Sequence, residues 1–487
     1  MARRIPPALG IAMPLAWLLY FFRLDAIGLV GPDEPRYASI AREMARSGDW
    51  ITPRLWGSGW FEKPVLLYWM SGAAFRVGLG PDLAPRLPVA LMTAGFLVFY
   101  WWILKREFGC RAAWLATFIL GTCAGWIVFS QVGTTDLPVT ATFSAAMLLA
   151  LPWIARRETR FLPMAAALLG FAVLAKSLPP LALAAPIALR WRWWRDLLRW
   201  RVVLPFVVVA APWHVLCYLR NGRVFLDTLF VEHQFGRFTS DALGHPQPRI
   251  FYLPVLAGLL LPWSPLLVGL ARRAAYRDMR RLFLLVWFLF GLLFFTMSVN
   301  KLAGYVLPLV PAAAALMAVA LDEAPNTGRP GDGSRNSCAT LICCALALVV
   351  FPAATPILPD AVAMGLSRAP RPAFHWTWFL PVAVAAGVWM LEGRKLRLAA
   401  TVLVAAGAGA GMIYLKLTAA PELNRVGSAR GLWQEIAGRA GEVCVDNIDR
   451  RWRYGLNYYS VTPLPECSEL ARPLRLVQAG GAPPHLE

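Results

Sequence analysis

The chain has 487 residues, 58% hydrophobic and 16% charged, with a mean hydropathy of +0.53 and a formal net charge of +20. So much apolar content leaves too little polar surface to coat a soluble domain. The cations sit in short clusters between apolar blocks and form no continuous stripe, which excludes a nucleic-acid partner and fits loops obeying the positive-inside rule.

Residues 1–22 carry Arg3 and Arg4 ahead of an apolar stretch. Phe21-Phe22-Arg23-Leu24-Asp25 follows where a signal peptide would have a small-residue cleavage site, so the stretch reads as an uncleaved first span at 8–23. Further spans are expected near 84–104, 111–131, 135–155, 161–175, 177–190, 202–219, 250–270, 282–298, 304–321, 338–358, 374–392 and 396–418. That makes about thirteen helices, because lipid cannot satisfy an open backbone. The shortest pair flanks Lys176-Ser177-Leu178-Pro179-Pro180.

Every second connection is basic: Arg3-Arg4, Lys105-Arg106, Arg156-Arg157-Arg160, the run Arg190 to Arg201, Arg272 to Arg281, and Arg394-Lys395-Arg397. The alternation assigns that side and the N-terminus to the cytoplasm, and the tail from Pro421 to the outside. Pro325 to Asn336, rich in Gly, Asp and Asn, reads as a flexible cytoplasmic loop. The tail predicts an amphipathic helix at 428–439, a strand at 442–445, a helix at 450–459 and a strand at 474–478. These form a small cap, with a transmembrane domain at 1–420 and the cap at 421–487. Only Cys444 and Cys467 of the eight cysteines fall in this outward tail, where the compartment is oxidising, so a disulfide between them is expected.

All the unusual polar clusters lie on the outward connections. In the first outer loop, 24–86, Gly31-Pro32-Asp33-Glu34-Pro35-Arg36-Tyr37 opens a short helix. Tyr37, Ile40, Ala41 and Met44 form its apolar face, suited to lying in the outer interface. Asp33 reads either as an N-cap or as a catalytic carboxylate, and capping leaves Glu34 unexplained. Glu62-Lys63-Pro64 follows at the mouth of the apolar run Val65 to Met70. Carboxylates there suit a divalent cation, and a lysine at membrane depth suits a lipid phosphate. Thr134-Thr135-Asp136 starts the fourth span, as a cap or as a second functional acid. Glu232-His233 and Arg237 join a metal-ligand pair to a phosphate-binding side chain. Lys301 and Tyr305 are expected on one face at the outer start of the tenth span, where an anion would relieve a lysine at a helix N-terminus.

The run Asp33-Glu34-Pro35-Arg36-Tyr37 with Ile40-Ala41-Arg42-Glu43-Met44, then Ser47-Gly48-Asp49-Trp50, Phe61-Glu62-Lys63-Pro64 and Tyr68-Trp69, closely resembles the bacterial aminoarabinose transferase family. Thr135-Asp136, Phe235-Gly236-Arg237-Phe238 and Lys301…Tyr305…Pro308 are also similar, and the resemblance covers roughly residues 10–320. That family is a branch of the GT-C membrane glycosyltransferases, allied to protein O-mannosyltransferases. The resemblance implies a GT-C α-helical polytopic membrane fold with a small α/β extracytoplasmic domain. It implies transfer of a sugar from undecaprenyl phosphate to a lipid or glycan acceptor on the outer face of the inner membrane. Asp33 and Asp136 map onto the family's acids, and Glu34 stands beside them as a third candidate. Lys63 and Arg237, with Lys301 and Tyr305, would hold the donor phosphate. A divalent metal near a Glu and a His is a family feature, which points to Glu62 and His233. A transporter would place its ionisable groups near the midplane in two related halves, and no such repeat is present.

Overall fold

The computed structural model describes residues 7–236, 247–271, 276–324, 334–365, 369, 373–480 and 482–487. Helix α1 (Pro7–Tyr20) leads into the first outer loop, which holds α2 (Asp33–Ser47), a hairpin of β1 (Arg54–Leu55) and β2 (Ser58–Gly59), and α3 (Leu66–Arg76). Then come α4 (Leu87–Phe108), α5 (Cys110–Gly121), α6 (Ala124–Ser130), α7 (Asp136–Arg156) and α8 (Leu162–Lys176).

Among the described residues, eight helices are long and apolar enough to cross a membrane. They are α4, α7, Thr159–Lys176 (which ends in α8), Trp200–Asn221, Met279–Met297, Ala303–Glu323, Ser337–Ala354 and Arg397–Thr418. Two more expected spans are bent pairs, α5 with α6 at 60° and Arg249–Leu259 with Ser264–Ala271 at 112°. The remaining three are shorter or broken: α1, the Pro179–Leu183 helix with its following 3₁₀ turn, and Leu380–Gly393. The two bent pairs meet at their breaks. Ala124 N–H donates to the Leu261 carbonyl at 2.8 Å, and Trp263 Nε1 donates to Thr122 Oγ1 at 2.9 Å. Backbone freed inside a membrane must find such partners.

The basic connections gather at one pole. Arg156 reaches Glu107 at 2.8 Å, Arg106 reaches Glu158 at 2.7 Å, Arg157 reaches Asp196 at 2.9 Å, and Arg111 reaches Asp322 at 3.1 Å. Arg397 donates to the carbonyls of Leu321 and Ala324 at the same end. α4 and α7 begin at the other pole, roughly 30 Å away for helices of this length. Between Leu137 and Ile154, α7 is buried on every face. Part of the expected flexible loop, 325–333, and Arg272-Arg273 lie outside the described residues.

The tail forms the expected cap. The Ala420–Gly427 and Arg430–Ile436 helices precede β3 (Val443–Asp446), a helix Arg450–Ser460, β4 (Leu474–Val477) and β5 (His485–Leu486). β3 and β4 pair in parallel across the Arg450–Ser460 crossover, and β5 adds antiparallel to β4. Val443, Val445, Trp452, Leu456, Leu464 and Leu476 make a separate core beneath this sheet. Cys444 and Cys467 are bonded, their Cα atoms 4.9 Å apart. β5 was not foreseen, since two residues carry no periodicity.

α2 forms where the amphipathic pattern places it, over Asp33–Ser47. Its apolar face (Ile40, Ala41, Met44) packs inward, while Ala38 is buried on another side and the Arg42 guanidinium sits 4.4 Å over the Tyr458 ring of the cap. The cap thus covers the Arg42 side of α2.

Candidate active site

α2 starts with two acids, which suit the positive end of the helix dipole, and it stops at Gly48, whose φ of 74° gives a left-handed cap. The two acids have opposite surroundings. Glu34 is buried and receives Arg86 through both oxygens, Nε to Oε1 and Nη2 to Oε2, each at 2.7 Å. It also accepts from Val30 N–H and Gly133 N–H at 2.8 Å. Arg86 donates its remaining protons to the carbonyls of Leu24, Ile27 and Gly28. Burial opposes the charge on Arg86, but Glu34 more than offsets it and raises the guanidinium pKa. This knot ties the exit of the first helix, α2, the start of α4 and the turn before α7 together. Glu34 is expected as a catalytic carboxylate, and in the structure each of its oxygens accepts two hydrogen bonds within this packing.

Asp33 is the first helical residue, and its carboxylate turns to Arg36 at 2.6 Å with its side chain about half exposed. No side-chain cap is formed at this helix start, so capping does not account for Asp33. Arg36 also reaches Glu62 at 2.9 Å, and Glu62 reaches Lys63 at 3.0 Å. The cluster is thus Asp33–Arg36–Glu62–Lys63, with the last three buried. Burial works against the Arg36 charge, yet Tyr37, Glu62 and Asp33 outweigh it and raise its pKa. Burial, and then the neighbouring carboxylates, raise the pKa of Tyr37 and Tyr68, which keeps both phenols neutral.

The second acid, Asp136, opens α7 and accepts from Lys176 Nζ at 2.6 Å. Lys176 closes α8, where a cation suits the helix C-terminus, and its amine stands 4.8 Å over the Tyr305 ring. Gly304 lies against this pair, and a methyl group there would meet the Asp136 carboxyl carbon at 2.7 Å. Only glycine permits that approach. Lys301 is buried and donates to the Ser298 carbonyl at 2.5 Å and the Gln247 carbonyl at 3.1 Å. Lys301 and Tyr305 do not share an α-helical face as expected. Leu302 is extended, Ala303–Leu309 is a 3₁₀ helix with Pro308 inside it, and the α-helix starts only at Val310.

Residues 9–241 match the family described as Dolichyl-phosphate-mannose-protein mannosyltransferase. The undecaprenyl phosphate-alpha-4-amino-4-deoxy-L-arabinose arabinosyl transferase 2 of Pseudomonas fluorescens is 31% identical over 418 residues, covering 79% of this chain and 70% of that protein. The chain belongs to this arabinosyl transferase family. A Pseudomonas aeruginosa member is 33% identical over 327 residues, 64% of this chain and 59% of that protein, so the chain spans only part of that relative's length. The crystal structure of ArnT from Cupriavidus metallidurans bound to undecaprenyl phosphate superposes with a TM-score of 0.73 at 26% identity, over 97% of this chain and 86% of that one. The arabinosyltransferase EmbB of Mycobacterium smegmatis, at 14% identity and a TM-score of 0.50 over 88% of this chain and 42% of that one, shares the fold. The protein is a membrane glycosyltransferase of the GT-C fold.

Within this transferase, Arg237 and the side chain of His233 lie outside the described residues. Glu62, the other expected metal ligand, is already engaged by Arg36 and Lys63. Among the described residues no three His, Cys, Asp or Glu side chains stand close enough to hold a cation. The described residues therefore do not make a metal set. Sequence reasoning missed Arg36, Arg86 and Lys176. Arg86 and Lys176 had a signal, since each is a lone cation at the edge of an apolar block. Arg36 had a signal only toward Asp33, three residues before it on α2; its pairing with Glu62 and its ring contact with Tyr454 join separate segments.

Proposed function

We propose that this transferase moves a sugar from undecaprenyl phosphate to a hydroxyl on a cell-envelope lipid, with lipid A as the acceptor to test first. An aminopentose is the sugar to test first, since the arabinosyl relatives carry 4-amino-4-deoxy-L-arabinose in their names. The observation that carries the reading is the half-exposed Asp33 carboxylate beside a buried Arg36–Glu62–Lys63 chain. The acceptor oxygen attacks the anomeric carbon as the bond from that carbon to the phosphate oxygen breaks, and the lipid phosphate leaves with the electron pair. Asp33 takes the hydroxyl proton. Lys63, with Arg237, Lys301 and Tyr305, stabilises the charge that grows on the phosphate. Asp136, held by Lys176, orients the acceptor or the sugar. A phosphate acceptor would need no base, and Asp33 would then position it.

We assign residues 1–420 to the transferase domain and 421–487 to the cap. The basic pole faces the cytoplasm with the N-terminus, and the cap lies in the periplasm of the inner membrane. The convergence of arginines at one pole and the disulfide in the cap support this orientation. The test supplies the purified protein with radiolabelled undecaprenyl-phosphate aminoarabinose and lipid A. Label should move to lipid A and undecaprenyl phosphate should be released; neither product over a long incubation would sink the reading.

A further inference from the structure

Arg36 is the hinge of the site cluster, because it pairs with both Asp33 and Glu62. Its Nε–H is buried with no acceptor among the described residues, so hydrogen bonding leaves part of its orientation undecided. Three aromatic rings surround the guanidinium: Tyr37 at 5.3 Å, Trp60 at 5.6 Å and Tyr454 at 5.5 Å. Tyr37 and Trp60 belong to the first outer loop. Tyr454 comes from the Arg450–Ser460 helix of the cap, more than four hundred residues along the chain.

Tyr454 is itself held from the loop side. The Trp56 ring stacks on it at 5.6 Å with an interplanar angle of 25°. Trp56 and Gly57 form the two-residue turn between β1 and β2, with φ of 54° and 84°. A left-handed tryptophan is uncommon in such a turn, where Asn or Asp is preferred, and it is tolerated when surrounding contacts over-determine it. The stacked pair is that contact. The cap helix is further fixed to the outer loop by Tyr458 Oη to the Pro81 carbonyl at 2.7 Å, Tyr459 Oη to Asp82 at 2.6 Å, and Arg42 to the Tyr458 carbonyl at 2.7 Å. Gly28 allows this docking, since a methyl group there would meet Tyr459 Oη at 2.6 Å.

We propose that the cap completes the transferase site: Tyr454, clasped by Trp56, is a positioning residue that holds Arg36 between Asp33 and Glu62. The inference deepens the proposed function and rests on it for the role of Asp33. Guanidinium over an aromatic face is an attractive and orienting contact, strengthened by desolvation. Its loss lets Arg36 swing and misplaces the acid, and small misplacements of a reacting group slow turnover by about a hundredfold.

The test compares full-length wild type, Tyr454→Ala, Tyr454→Leu and Tyr454→Phe in detergent. The first measurement is phenylglyoxal labelling of Arg36, read by mass spectrometry. Arg36 should stay protected in wild type and Tyr454→Phe, and become labelled in Tyr454→Ala and Tyr454→Leu. The second is release of undecaprenyl phosphate, which should fall roughly 10- to 100-fold in the Ala and Leu variants. It should be restored in Tyr454→Phe, because the ring face acts and the hydroxyl does not. Leucine keeps bulk without a ring, so its loss of turnover at an unchanged melting temperature separates positioning from folding. Equal Arg36 labelling in all four proteins, or full turnover in both Ala and Leu variants, would overturn the proposal. The labelling needs no reaction. A wild type that releases no lipid phosphate counts against the proposed function, while the labelling still decides the clasp.

Discussion

At the basic pole Arg106 and Glu158 meet at 2.7 Å with both side chains about 30% exposed; at the site pole Arg86 and Glu34 meet at the same 2.7 Å with 3% and 1% exposed. Equal distances carry unequal consequences. Water screens the first pair, whose job ends once the charged connection stays out of the membrane. The second pair has exchanged its water for protein partners, so removing either member leaves a buried charge. Charge that only sets topology can be loose. Charge that shapes a site beside an apolar bundle has to be enclosed, and one acid in the enclosed network, Asp33, is left open.

The sharpest way to test that contrast is the open acid. Asp33→Asn keeps the shape of the side chain and removes its charge, so turnover should fall about 10²- to 10⁴-fold while insertion and folding persist. Lipid-phosphate release per inserted molecule measures it; wild-type turnover would reduce Asp33 to a partner of Arg36.

The enclosed pair comes next. Arg86→Met should cost about 3–5 kcal/mol, seen as denaturant unfolding of the purified protein, because Glu34 is left buried and unpaired. The double variant Glu34→Leu with Arg86→Met should recover much of that loss. A cost for Arg86→Met as small as that of a surface pair would mean that water reaches the knot.

The cap supplies a third comparison, since it fixes its chain covalently. Cys444→Ser should destabilise the cap by about 3 kcal/mol in the chain-entropy account of a loop this size. Limited proteolysis of the tail should then occur at lower denaturant concentration than in wild type; an unchanged cleavage profile would show that the small core suffices alone.

The smallest effect is expected at the basic pole. Arg106→Ala should cost under about 1 kcal/mol, and less in high salt. A loss comparable to that of Arg86→Met would erase the contrast between the poles.

The sequence by itself determined the membrane class, the order of apolar blocks and the grouping of arginines, because block length and loop charge are local quantities. It also determined the strand–helix–strand order of the cap and the Cys444–Cys467 pair, as no other cysteines fall in that tail. The acid-rich motif of the first outer loop was legible too. Only the tertiary structure decided which of two adjacent acids stays open, since Glu34 is closed by Arg86, 52 residues away, and by the Gly133 N–H, 99 away. It likewise decided that Lys176 belongs to Asp136, that two spans bend and satisfy each other, and that Tyr454 faces Arg36. Periodicity and spacing report one stretch of chain at a time. These pairings arise between distant stretches, where packing rather than local sequence sets which polar groups lose their water and must find each other.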